Sequence, residues 1–112
     1  MTIWHKSLSS RWQDFTRSQQ ILMVCNELNR ADNNQNYPKE YSNCLERALE
    51  LCDLCSESDQ WKDRRLYEMR RARRVIAEVY NSKLLSNTKP IMNVLLSLDS
   101  ESWKKLNSRQ TL

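Results

Sequence analysis

The sequence predicts an all-α fold: an antiparallel bundle of three long helices with one or two short helices at the C-terminal end. Apolar residues recur at spacings of three and four, and no segment alternates convincingly at a period of two. The 112 residues include no glycine, and glycine supplies the positive φ angles of tight hairpin turns. The breaks "ADNNQNYP", "SESDQ" and "SNTKP" are short, and long helices joined by short connections pack antiparallel.

The first helix is predicted to run from about Ser10 to Asp32. Its apolar residues at helical spacing are Trp12, Phe15, Leu22, Cys25 and Leu28. Within it, Ile21–Cys25 ("ILMVC") is apolar on more than one side, which is typical of a helix central to a bundle or buried in an oligomer. Residues 1–9 are expected to be a mobile extension, and residues 10–112 a single helical-bundle domain.

The second helix should begin at Pro38, because proline suits a first helical turn, and continue to about Ser56. Its apolar stripe is Tyr41, Cys44, Leu45, Ala48, Leu51, Cys52 and Cys55. The third helix is predicted from an N-cap at Ser58 or Asp59 to about Leu85. Its stripe is Trp61, Met69, Ala72, Ile76 and Val79, with Val75 at the edge.

Two short helices are predicted to follow. Thr88 is placed to cap one from Lys89 to about Leu98, and Asp99 or Ser100 to cap another around Trp103 and Leu106. Helices this short depend on docking against the rest of the fold.

Charge is distributed unevenly along the chain, whose net formal charge is +4. Residues 61–83 hold eight basic and three acidic residues, whereas residues 39–59 hold two basic and six acidic residues. The basic residues of the third helix share one side with a tyrosine, opposite the apolar stripe: Arg64, Tyr67, Arg70, Arg71 and Arg74. Arginines around an aromatic ring are typical of surfaces that bind phosphates and stack a base.

Two other interpretations of this basic side remain open. The second helix carries carboxylates that would form ion pairs with a neighbouring basic helix: Glu46, Glu50, Asp53 and Glu57. Glu68 and Glu78 offer further partners, three or four positions away, within the third helix itself. An acidic protein partner would also suit the basic side of the third helix.

Arg65 is a separate case, because the helical wheel places it within the apolar stripe between Trp61 and Met69. We expect it to form a buried ion pair with Glu27 or Asp14, which would fix helix register.

The four cysteines are expected to be reduced core residues. Cys52 and Cys55 form a C-x-x-C pair, but "CDLC" lies within a helical pattern rather than the tight turn that a zinc knuckle uses. All four, Cys25 and Cys44 included, fall on apolar stripes, where a thiol behaves as a small hydrophobe. Zinc binding and redox chemistry are the less favoured interpretations.

The sequence contains no recognisable catalytic set, so we expect neither an enzyme nor a cofactor. Without glycine the chain has no glycine-rich phosphate loop. His5 is the only histidine, and no E-x-x-H motif of di-iron bundles occurs. A magnesium site at Glu46, Glu50 and Asp53 is the least favoured alternative, since acidic surface faces are ordinary.

The leading functional prediction is a non-catalytic protein-interaction or adaptor module that binds another protein or itself. A nucleic-acid-binding module using the basic third helix is the alternative. No apolar run approaches the roughly 20 residues of a membrane helix, so we expect no membrane partner and a cytoplasmic location.

Overall fold

The protein is an all-α helical bundle, as the sequence predicts. The computed structural model describes residues 7–82 and 88–98. Within these residues a 3₁₀ helix, Ser9–Asp14, precedes four α-helices. These are α1 (Arg17–Asn33), α2 (Pro38–Glu57), α3 (Asp63–Ser82) and α4 (Lys89–Ser97). The part of the chain that the structure describes contains no strand.

The three long helices are antiparallel to their neighbours in sequence. Gln20 near the start of α1 contacts Cys55 near the end of α2, and Glu27 contacts Arg47 further back along α2. The same reversal relates α2 to α3, because Asp53 pairs with Arg73 while Glu46 pairs with the later Tyr80. Helix α4 packs against α1 and α3 and so supplies a fourth wall.

The first helix is shorter than predicted, because the chain leaves helical geometry at Phe15 and Thr16. Thr16 is an extended N-cap residue (φ −69°, ψ 160°) whose hydroxyl accepts from the backbone N–H of Gln19. The Gln19 side chain accepts from the Thr16 N–H in return, which completes a capping box. The predicted continuity from Ser10 to Asp32 is therefore wrong, although the helix ends near the expected residue, at Asn33.

The other predicted helices agree closely with the structure. Helix α2 begins at Pro38 as expected and ends at Glu57, and α4 occupies Lys89–Ser97. Helix α3 begins at Asp63, four residues after Asp59 and five after Ser58, the two expected caps. The predicted helix around Trp103 and the predicted end near Leu85 lie outside the described residues.

The core lies between α1, α2 and α3 and is closed by α4. Ile21, Val24 and Leu28 of α1 are fully buried, which explains the multi-sided apolar character of "ILMVC" as that of a central helix. Leu95 and Leu96 bring α4 into the same core. Leu8 packs against it from the predicted extension, most of which, residues 1–6, lies outside the described range. Within residues 7–82 and 88–98, no helix is long and apolar enough to cross a membrane.

A buried glutamine ties the 3₁₀ helix to the rest of the bundle. The Gln20 side-chain amide is fully buried and donates to the carbonyl oxygens of Trp12 and Phe15 at 2.9 and 3.1 Å. Its carbonyl oxygen accepts from the Trp61 indole Nε1 at 2.6 Å. Gln60 donates to the same Phe15 carbonyl at 2.8 Å. These bonds hold the turn before α3 against the start of α1, and thus set where α3 begins.

Candidate functional site

Helix α3 presents its predicted basic side to solvent. Its core side is formed by Met69, Ala72 and Ile76, which are all buried. The opposite side carries the five residues singled out in the sequence, and all five are exposed: Arg64, Tyr67, Arg70, Arg71 and Arg74. We call these five residues the basic face. Since α2 and α4 pack on the other sides of α3, the basic face is open along about three turns.

The acidic helix α2 pairs with a different side of α3. Arg73 donates from Nε to Asp53 Oδ1 at 2.9 Å, and from Nη2 to Oδ2 at 3.3 Å. About two helical turns further along α3, the Tyr80 hydroxyl donates to Glu46 Oε2 at 2.8 Å. This contact raises the pKa of Tyr80, because the hydrogen bond to the carboxylate favours the protonated phenol. Neither Arg73 nor Tyr80 belongs to the basic face, so α2 leaves that face largely unneutralised.

Only Arg71 within the basic face has a carboxylate partner among the described residues. Its Nη1 lies 3.3 Å from Glu68 Oε2 on the same helix, and its guanidinium carbon lies 5.9 Å from the centre of the Tyr67 ring. Arg64, Arg70 and Arg74 form no ion pair within residues 7–82 and 88–98. Three exposed guanidinium groups are thus available to an external partner.

A broad groove of about 910 Å³ adjoins the N-terminal end of the basic face. Five basic residues line it: Arg17, Lys62, Arg64, Arg65 and Arg71. Three acidic residues lie among them: Asp59, Asp63 and Glu68. The groove is therefore basic by two charges but contains both signs.

Arg65 lines this groove instead of the core, so its predicted burial is wrong. The side chain is exposed, and it forms no ion pair among the described residues. Trp61 is buried but lies in the turn before α3, so it does not extend the apolar stripe of the helix. One turn before Met69, α3 lines the groove, whose other walls include Arg17 of α1 and Ser97 of α4.

The two predicted partners of Arg65 are engaged elsewhere or exposed. Asp14 is exposed at the end of the 3₁₀ helix. Glu27 is buried on α1 and pairs with Arg30 at 3.3 Å and with Arg47 of α2 at 3.6 Å. Arg47 also pairs with Glu40 at 3.2 Å, and its guanidinium lowers the pKa of that carboxyl. The ion pair that links two helices below the surface is thus formed by Arg47, which sequence reasoning did not single out.

The start of α3 includes an unusual backbone conformation. Asp63 has φ 57°, in the left-handed region, which costs most residues free energy but which aspartate tolerates better than most. In a chain without glycine, this aspartate supplies the positive φ angle at the start of α3, and the two arginines that follow it, Arg64 and Arg65, line the groove.

Carboxylates of α2 that the sequence offers as a magnesium site already contact other side chains of the protein. Glu46 accepts from Tyr80 and Asp53 pairs with Arg73. Within residues 7–82 and 88–98, no group of three or more histidine, cysteine, aspartate or glutamate side chains is arranged to hold a metal ion. His5 lies outside these residues.

The cysteines are core residues, as predicted. All four are free thiols and buried. Burial raises the pKa of Cys25 and Cys55 to about 12, and that of Cys44 to about 11 with help from Glu40 and Glu27. Burial also raises the pKa of Cys52 well above its usual value. Thiols with such pKa values are poor nucleophiles at neutral pH.

Two exposed valines beside the basic face were not recognised as surface features from the sequence. Val75 of α3 is 43% exposed and Val94 of α4 is 44% exposed. The sequence places Val75 at the edge of the apolar stripe of the third helix, and Val94 within the short helix predicted from Lys89 to about Leu98. Helical spacing alone does not show that α4 packs so as to leave both side chains open.

Comparison of the chain with family models, curated proteins and solved structures finds no match.

Proposed function

We propose that this chain is a non-catalytic protein-interaction module that binds an acidic protein partner through the basic face of α3. The observation that carries the proposal is the exposure of Arg64, Arg70 and Arg74 without a carboxylate partner among the described residues. Like charges three or four positions apart on a helix repel one another. The electrostatic free energy of such a face is therefore lower in a complex whose partner supplies negative charge than in the free protein.

The mixture of charges near the basic face supports a protein partner over a nucleic acid. Asp59, Asp63 and Glu68 line the adjoining groove, and a phosphate backbone in that groove would meet these carboxylates. A protein partner supplies both signs of charge and can match the pattern. The exposed valines beside the arginines are also typical of protein interfaces, which combine apolar groups with arginine.

A single-stranded nucleic acid is the second candidate, and one observation favours it. The Tyr67 ring is 60% exposed, with the Arg71 guanidinium 5.9 Å from its centre. A base stacked on the open ring, with phosphates bound by neighbouring arginines, is a common arrangement in proteins that bind single strands.

Self-association through α1 has weaker support. Val24 is fully buried in the chain's own core, and Leu22 is half-buried there.

The cytoplasmic location that we propose rests on four free thiols, which suit a reducing compartment.

The proposal is tested by fluorescence anisotropy with two labelled probes, a glutamate-rich helical peptide carrying leucines and an oligouridine RNA. The variant Arg70→Glu/Arg74→Glu reverses two charges on the basic face. The variant Arg11→Glu/Lys39→Glu makes the same change in charge at exposed positions elsewhere. Circular dichroism checks that both variants remain helical.

We expect the wild type to bind the peptide more tightly as salt is lowered, because screening weakens with ionic strength. Arg70→Glu/Arg74→Glu should weaken binding about tenfold or more, while the control variant changes it by less than about threefold. RNA binding with no peptide binding would replace the proposal by the second candidate. Equal losses in the two variants would show that net charge, and not the basic face, governs binding.

A further inference from the structure

An apolar cleft lies between α3 and α4, next to the basic face. It has a volume of about 190 Å³ and is lined by four aliphatic side chains: Ala72, Val75, Ile91 and Val94. Glu68 and Arg71 line both this cleft and the broad groove at the N-terminal end of the basic face. The apolar cleft and the charged groove are therefore continuous on one surface.

The cleft exposes side chains that would be more stable if covered. Val75 is 43% exposed and Val94 is 44% exposed, although each lies on a helix whose core side is buried, at Ala72 and Ile76 of α3 and at Leu95 and Leu96 of α4. Valine is also a weaker helix former than the straight-chain residues common on helix surfaces. Isolated exposed valines are ordinary, but two that flank one cleft beside arginines form a local apolar patch.

The size of the cleft favours a side chain over a small molecule. Small-molecule sites usually have volumes of about 300–1,000 Å³ and enclose most of the ligand. A cleft of about 190 Å³ between two helices instead suits an aliphatic side chain projecting from another polypeptide. Helix-in-groove recognition uses such anchors at spacings of three or four residues.

We propose that this cleft receives an aliphatic anchor side chain of an acidic amphipathic helix, whose carboxylates contact Arg71 and Arg74. The inference rests on the proposed function, because it names the kind of partner segment that the basic face binds. Charge complementarity selects this occupant: Arg74 immediately precedes Val75 in α3, and Arg71 lines the cleft beside its partner Glu68, so that two guanidinium groups face one carboxylate at this end of the surface. An acidic helix with leucine on one side would satisfy both halves of the surface.

The test compares two labelled helical peptides of equal length and charge. One is the glutamate-rich peptide with leucines at i and i+4, and the other has alanine at those positions. The cleft variant is Val75→Gln/Val94→Gln, which changes two exposed side chains and leaves the charge unaltered. Tyr37→Gln is the control, because Tyr37 is 66% exposed at the start of α2, away from the cleft.

We expect the leucine peptide to bind the wild type about tenfold more tightly than the alanine peptide, since tenfold corresponds to burying part of one leucine. Val75→Gln/Val94→Gln should remove this difference. Tyr37→Gln should preserve the difference. Methyl chemical-shift changes at Ile91 and Val94 on addition of the leucine peptide would place it in the cleft.

Three results would overturn the inference. If both peptides bind equally and both are weakened by Arg70→Glu/Arg74→Glu, the cleft takes no anchor while the proposed function stands. A leucine preference that survives the cleft variant places the anchor elsewhere on the protein. If neither peptide binds, whether or not oligouridine RNA does, the proposed function fails and the inference fails with it.

Discussion

The Arg73 guanidinium contacts the Asp53 carboxylate in a two-point arrangement, with Nε 2.9 Å from Oδ1. This contact shows which side of α3 the acidic helix neutralises. Both side chains are substantially exposed, at 39% and 50%, and an ion pair at such a site contributes about 0–1 kcal/mol. Helix α2 thus compensates one arginine of α3 weakly and does not reach the basic face.

Reversing a charge on the basic face should not destabilise the free protein. Arg70 and Arg74 are four residues apart and both exposed, so Arg70→Glu replaces a repulsive pair by an attractive one. We expect a gain of about 0.2–0.5 kcal/mol in the free energy of unfolding at low salt, decreasing as salt is added. Urea denaturation at two ionic strengths measures it. A loss of more than about 1 kcal/mol would mean that Arg70 has an internal partner.

Arg47 should matter far more to stability than any arginine of the basic face. Its side chain is 17% exposed and pairs with Glu27 and Glu40. Arg47→Met would leave the buried Glu27 carboxylate with Arg30 alone, so we expect a loss of about 2–4 kcal/mol in unfolding free energy. Arg70→Met, at an exposed position, should change it by no more than about 0.5 kcal/mol. Similar losses in the two variants would contradict the assignment of Arg47 as the structural ion pair.

Removing the Gln20 amide should loosen the junction of the 3₁₀ helix with α3. Gln20→Leu leaves the buried Trp61 indole N–H without its acceptor at 2.6 Å. The carbonyls of Trp12 and Phe15 lose one donor each but keep the Phe15 N–H and the Gln60 amide. We expect a loss of about 1–3 kcal/mol, the cost of one unsatisfied buried polar group. Gln13→Leu, at an exposed position of the 3₁₀ helix, is the matched control. Equal urea midpoints for wild type and Gln20→Leu would refute this role.

The buried thiols predict a stability loss at alkaline pH. Burial raises the pKa of Cys25 and Cys55 from 9.0 to about 12 in the folded protein. The unfolded chain therefore releases these protons first, so their contribution is intact below pH 9 and is lost as pH rises from about 9 towards 12. Cys25→Ala/Cys55→Ala should show a shallower fall in urea midpoint between pH 8 and pH 10. A parallel fall in both proteins would assign the effect to other groups.

The rate at which the thiols react with a disulfide reagent is a second measurement of the burial of the cysteines. At pH 8, a disulfide reagent such as Ellman's reagent should label the native protein slowly, because the thiolate fraction and access are both small. In denaturant all four cysteines should react rapidly. One rapidly labelled thiol in the native state would identify a reactive cysteine that burial does not account for.

Much of the fold could be predicted from residue spacing because its helices are amphipathic and end at strong signals. Pro38 begins α2, and the cysteine-rich stripe of α2 is buried as expected. The break at Thr16 was missed because Trp12 and Phe15 have helical spacing with later apolar residues. The signal lay in the Thr16–Gln19 capping box, which outweighs that continuity.

The candidate site was predicted only in part, because it depends on how helices are rotated against one another. The exposed side of α3 followed from its own periodicity, and all five residues of the basic face are exposed. Whether α2 neutralises them depends on which side of α3 it packs against, and the contact at Arg73 decides this. Arg65 shows the reverse limitation, because a helical wheel gives the side of α3 on which a residue lies but not whether that side lines the core or a groove.

The most direct test of the account is a nuclear magnetic resonance titration of the ¹⁵N-labelled protein with the glutamate-rich, leucine-bearing peptide. We predict chemical-shift changes concentrated on the basic face at Arg64, Tyr67, Arg70, Arg71 and Arg74, extending to Val75 and Val94. The backbone amides of α2 around Glu50 should change little, since the acidic helix already contacts the other side of α3. Changes centred on α1 or α2 with the basic face unaffected, or no changes at low salt, would contradict the claim that the basic face of α3 is the binding surface.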